Sequence, residues 1–100
     1  MAAPVPVTID AAGIAHPDRA KPNVGQSVRW NSAKNFTIIF NNGVDHPATH
    51  ADPGGGGYSA DSKVWGENDK GKHYEYTVET TDAGGRPVIV DPFIDVQPES

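Results

Sequence analysis

At 100 residues the chain has room for one hydrophobic core and not two, since folding at this size buries roughly two-thirds of the surface that the unfolded chain exposes. It carries 8 Lys and Arg against 13 Asp and Glu, a net charge of −5. The basic residues Arg19, Lys21, Arg29, Lys34, Lys63, Lys70, Lys72 and Arg86 are scattered along the chain, which argues against the clustered basic face that nucleic acid requires. Without a single cysteine there are no disulfides, thiolate nucleophiles, iron–sulfur clusters or cysteine-ligated zinc.

The first residues, Met1 to Val7, contain neither a basic n-region nor an apolar run, so no signal peptide is expected. The expected compartment is cytoplasmic if Met1 is native, and periplasmic or secreted if the chain is a trimmed mature form. No apolar stretch approaches the ~20 residues of a membrane span. With 11 Gly and 9 Pro, and with aromatic and β-branched residues recurring throughout, the composition fits one loop-rich globular domain covering 1–100.

Val5, Val7 and Ile9 alternate with Pro4, Pro6 and Thr8, and two prolines in so short a strand predict an edge position. Ala11 to Asn23, broken by Gly13, Pro17 and Pro22, reads as a connection with a short strand around Ile14. Val24-Gly25-Gln26 turns into a strand at Ser27-Val28-Arg29-Trp30, and Asn31 to Asn35 is a polar turn. Phe36, Ile38 and Phe40 share one face of the next strand, with Thr37 and Ile39 on the other.

From Asn41 to Tyr58 the chain is Asn, Asp, His, Pro and Gly, ending in the run Gly54–Gly57. Nothing there has a core-forming pattern, and loops of this length are usually functional. Ala60 to Trp65 reads as a short strand and Gly66 to Gly71 as a turn. Tyr74, Tyr76 and Val78 alternate with polar residues, which predicts a half-buried strand ending at the turn Asp82-Ala83-Gly84-Gly85. Val88, Val90, Ile94 and Val96 share one parity, so a last strand is expected from Pro87 to Gln97, with Pro92 at a bulge or an edge.

Three segments, in this order, resemble the cupredoxin family of plastocyanin-like Greek-key sandwiches: Val24-Gly25-Gln26-Ser27-Val28-Arg29-Trp30-Asn31, Phe36-Thr37-Ile38-Ile39-Phe40 and Tyr74-Glu75-Tyr76-Thr77-Val78. A terminal strand with Ile94-Asp95-Val96 follows. Immunoglobulin-like sandwiches share much of this pattern. The resemblance implies the scaffold without its type 1 copper: the positions of the two His, the Cys and the Met fall on Phe36, Thr81, Val78 and around Arg86. A blue-copper centre needs a thiolate.

The expected fold is therefore all-β, a two-sheet antiparallel Greek-key sandwich of about seven strands, cupredoxin-like or immunoglobulin-like. Val28, Trp30, Ile38, Phe40, Tyr76, Val78, Ile94 and Val96 are expected to form one core. The expected function is non-enzymatic: binding a protein partner or self-association, with no cofactor. Candidate contact residues are Asn42, Asp45, His46, His50, Tyr58 and Trp65, and Trp65 reads equally as a core lid. Exposed edges at the first and last strands offer a second route to association.

The alternative is a metal-binding protein using His46 and His50 with Asp45 and Asp52, whose imidazoles and carboxylates suit zinc, nickel or copper(II). Pro47 forbids the helical geometry that makes such a His pair converge, and solvated loop residues are the plainer reading. No Gly-x-Ser-x-Gly elbow supports a nucleophile, Glu75 and Glu79 read as a solvated strand face, and Gly54–Gly57 lacks the Lys-Ser/Thr of a phosphate loop and reads as a hinge or spacer.

Overall fold

Period-two alternation builds the longer strands, because it gives each one an apolar face to bury. The computed structural model describes residues 3–41 and 49–98. Among these the strands are β1 (Val5–Ile9), β2 (Ala15–His16), β3 (Arg19–Ala20), β4 (Val28–Ser32), β5 (Thr37–Phe40), β6 (Thr49–His50), β7 (Asp52–Gly54), β8 (Gly57–Asp61), β9 (His73–Thr81), β10 (Pro87–Val90) and β11 (Phe93–Asp95). One 3-10 turn, Glu67–Asp69, stands where the polar turn is expected.

The strands form two sheets. One has the order β2-β1-β4-β8-β7; the other has β3-β11-β9-β5-β6, with β10 also paired to β9. Val7 and Ile9 of β1, Val28 and Trp30 of β4, Ile38 of β5, Tyr74, Tyr76 and Val78 of β9 and Ile94 of β11 all lie in one buried cluster, against which Phe40 packs. Trp30 holds the centre: its ring lies 5.3 Å from that of Tyr76, and its Nε1–H donates to the Tyr76 hydroxyl at 3.0 Å. The fold is thus the expected all-β sandwich.

Four details of the expectation are corrected. The sheets are mixed rather than antiparallel: β1 runs parallel to β4, and β3 parallel to β11. After β1 and β2 the chain crosses to the other sheet at β3 before returning as β4, which lets β1 and β4 point the same way. Secondly, β1 is not an edge strand but lies between β2 and β4. Its prolines are accommodated because β2 reaches only Thr8 and Ile9, leaving Pro6 without an outer neighbour.

Thirdly, Pro92 splits the last strand without a bulge. Val90 pairs with Val78 and Phe93 with Glu75, so the register is unbroken, and Tyr76 N–H still donates to the Pro92 carbonyl at 3.0 Å. What is missing is the proline's own N–H. Finally, the Asn41–Tyr58 segment is not one loop: it contains β6, β7 and the start of β8. Gly54 pairs with Gly57 across a two-residue turn of Gly55 and Gly56, with φ of 55° and 94°. Two positive φ values in a two-residue hairpin favour glycine, so this run is a tight turn and not a spacer.

Candidate interaction surface

Sheet edges leave backbone donors and acceptors unpaired, and stable proteins blunt them by making edge strands short or by placing proline and charge on them. Four edges here are blunted in that way. β2, β3 and β6 have 2 residues each, and β7 has 3, including Pro53. β10 differs. Its 4 residues are Pro87, Val88, Ile89 and Val90, and it pairs only with β9. Ile89 is 65% exposed, against 62% for Val64 and 42% for Ile14. A half-buried strand calls for polar residues at its outward positions, so the apolar Ile89 within Val88-Ile89-Val90 is a signal in the sequence that alternation alone passes over.

Asn42, Asp45 and His46 lie outside the described residues. Of the others, His50 is exposed in β6, with Nδ1 3.1 Å from the Thr37 hydroxyl. Asp52 is exposed in β7. The chain passes from one sheet to the other at the buried Ala51, whose N–H donates to the Phe36 carbonyl at 3.0 Å, so His50 and Asp52 belong to different sheets. No three His, Asp or Glu side chains converge among the described residues. Tyr58 is half-buried against the core.

Trp65 is 0% exposed and is core, not a contact residue. Its ring stacks on Tyr74 at 5.4 Å and meets Phe40 at 5.9 Å. Its backbone is pinned to the preceding turn, accepting from Gly25 and donating to Gln26, both at 2.9 Å. Ser62 keeps the inward parity of Ala60 and accepts from Val28 N–H at 2.8 Å. The alternation breaks after it, with Val64 exposed and Trp65 buried.

The carboxylate clusters tie elements together. Asp95 takes both of its partners from other strands: His73 Nδ1 at 2.8 Å, and Arg19 Nη1 at 3.2 Å to each oxygen. Burial pushes the Asp95 carboxyl up, but His73 and Arg19 outweigh it and hold the pKa below its ordinary value. Asp69 is pushed up by burial and pulled down further by Gly66 N–H, the Tyr74 hydroxyl and Lys63. Tyr74 and Tyr76 are pushed up to about 12, chiefly by burial.

These shifts make stability depend on pH on both the acid and the alkaline side. Carboxyls lowered on folding stabilise the native state above their unfolded pKa of about 4, and that contribution is lost as pH falls through the folded value. Phenols raised on folding contribute below about pH 10, and their share is lost as pH rises towards 12. Urea melts should therefore show the unfolding free energy falling below about pH 4, with a shallower fall in Asp95→Asn. An unchanged acid limb in Asp95→Asn would show that this carboxylate is not held by His73 and Arg19.

The positions assigned to copper ligands do not fit the metal. Phe36 and Val78 are 2% and 0% exposed within the core, while Thr81 and Arg86 are exposed. An open recess of about 330 Å³ is lined by Asn35, Phe36, Thr37, Glu79, Thr80 and Thr81, a set with one carboxylate and neither imidazole nor thiolate. Among the described residues no helix is long and apolar enough to cross a membrane. No family model matches the chain, and no curated protein or solved structure matches it either.

Proposed function

We propose that the chain is a non-enzymatic, copper-free cupredoxin-like interaction module that binds a protein partner through the free edge of β10. The observation that carries this is an edge strand of 4 residues, blunted only by Pro87 at its start, with Ile89 65% exposed, the arrangement that accepts an added strand. The scaffold reading draws support from the placement of the resembling segments. The ligand positions Phe36, just before β5, and Val78 on β9 fall on neighbouring stretches of one sheet, because β5 pairs with β9. With apolar side chains at both places and no cysteine in the chain, what is left is the framework.

Ile89→Pro tests the reading. The Ile89 N–H faces away from β9, so proline there removes a donor from the free edge without breaking a bond of the sheet. The variant is expected to melt close to the parent and to lose proteins that the parent retains as bait from host extract. Proteins retained equally by both, or none retained by the parent, would overturn the β10 edge as the contact surface.

A further inference from the structure

The backbone of β10 prescribes which groups an incoming chain would meet. Asp82 N–H donates to the Arg86 carbonyl at 2.9 Å, and Tyr76 N–H to that of Pro92 at 3.0 Å. Residues 86, 88, 90 and 92 thus face β9. Antiparallel pairs alternate between hydrogen-bonded and outward-facing residues, so Pro87, Ile89 and Asp91 point their backbone groups outward. Pro87 offers only a carbonyl; Ile89 and Asp91 each offer an amide and a carbonyl. Past Asp91 the edge is closed, because Phe93 N–H donates to the Asp18 carbonyl at 3.0 Å and β3 lies beside β11.

The side chains along this opening are apolar at one point and acidic around it. Ile89 stands opposite Glu79, and Phe93 opposite Glu75. The Asp91 carboxylate accepts from the Thr77 hydroxyl at 2.7 Å. Among the described residues Glu75, Glu79 and Asp91 form no ion pair, and Arg19, the cation near them, is already bonded to Asp95. The opening is a short ladder flanked by uncompensated negative charge.

Resting on the β10 reading above, we propose that the occupant is an extended segment of another protein, with an apolar side chain opposite Ile89 and a lysine or arginine opposite Asp91. Opposite charges on facing positions stabilise a cross-strand pair and select the partner. A second copy of the chain fits less well. Its net charge is also −5. Pairing centred on Ile89 would set Arg86 against Pro92, where Asp18 already sits, and would face the Asp91 carbonyl with Pro87, which has no N–H.

The test uses two capped pentapeptides, Lys-Val-Val-Thr-Lys and Glu-Val-Val-Thr-Glu, titrated into the isotope-labelled protein and followed at its backbone amides. The lysine peptide is expected to shift the Ile89 and Asp91 amides most, those of Val88 and Val90 less, and to bind about tenfold more tightly than the glutamate peptide. The double variant Glu79→Gln, Asp91→Asn should bring that ratio close to one. Equal binding of both peptides by the parent would overturn the basic partner while leaving the edge intact. If neither peptide moves the Ile89 and Asp91 amides, the edge itself is not a docking surface. Shifts at these amides that grow with protein concentration alone would make a second copy the occupant and overturn the proposal.

Discussion

Trp30→Ala is expected to remove about 3–5 kcal/mol, the range for truncating a buried aromatic, out of a total that for a domain of this kind is about 5–15 kcal/mol. Trp30 is 0% exposed and lies on β4 of one sheet, facing Phe40 at 6.3 Å and Tyr76 at 5.3 Å on the other. Its loss leaves a cavity between the sheets that neither can close, because each backbone is fixed by its own ladder. Tyr76, also 0% exposed, loses the donor to its hydroxyl at the same time. Trp30→Phe separates the two effects: most of the packing stays, and a buried hydroxyl left without its partner costs about 1–3 kcal/mol. Urea melts of the parent and both variants give the two losses directly. A loss below about 1 kcal/mol in Trp30→Ala would mean that the sheets do not interlock at this residue.

The strands that pack against Trp30 were the legible ones. β4 and β9 bury alternate residues, β5 buries Ile38 between half-buried neighbours, and a strand with one solvated face writes such alternation into its sequence. The eight residues expected in the core lie there, with Phe40 alone only partly buried. The short strands left no such trace. Ala15–His16 and Thr49–His50 are strands because β1 and β5 run beside them, a fact of tertiary placement that two residues cannot encode. The parallel pairing of β1 with β4 was hidden for a similar reason, since direction depends on where the intervening chain crosses between sheets.

The candidate surface was legible only in part. An edge at the last strand was anticipated, but Ile89 was not, because attention to the shared parity of Val88, Val90, Ile94 and Val96 passes over the residue between them. In sequence Trp65 fits the core or a contact equally, and the structure buries it where the alternation breaks after Ser62 and the chain bonds to Gly25 and Gln26. Backbone bonds to a distant turn leave no pattern in the sequence. The glycine run misled by its length: Gly54 and Gly57 are paired strand residues, and only Gly55 and Gly56 form the turn.

The same distinction between open and closed surfaces yields a second large effect, at Gly13. Gly13→Ala is expected to destabilise the domain by about 2–4 kcal/mol, through strain and overpacking together. The residue has φ of +84°, and a Cβ there would lie 2.7 Å from Val88 Cγ1 and 3.1 Å from Thr80 Cγ2. The turn cannot move aside easily. Asp10 holds it at both ends, its carboxylate accepting from the amides of Ala12 and Ile14 at 2.9 Å and its carbonyl from Gly13 N–H at 2.9 Å. Gly25→Ala is the control, since φ is +94° there but a Cβ would meet nothing within 4 Å; the left-handed conformation alone costs about 1–2 kcal/mol. Adding Val88→Ala to Gly13→Ala should cost less than the two single changes combined, because the first removes the atom the second strikes. Equal losses in Gly13→Ala and Gly25→Ala would mean that the turn does not press on β10. If the excess appears, the core-facing side of β10 is sealed by the Gly13 turn, and the edge carrying the outward amides of Ile89 and Asp91 is the side a partner can reach.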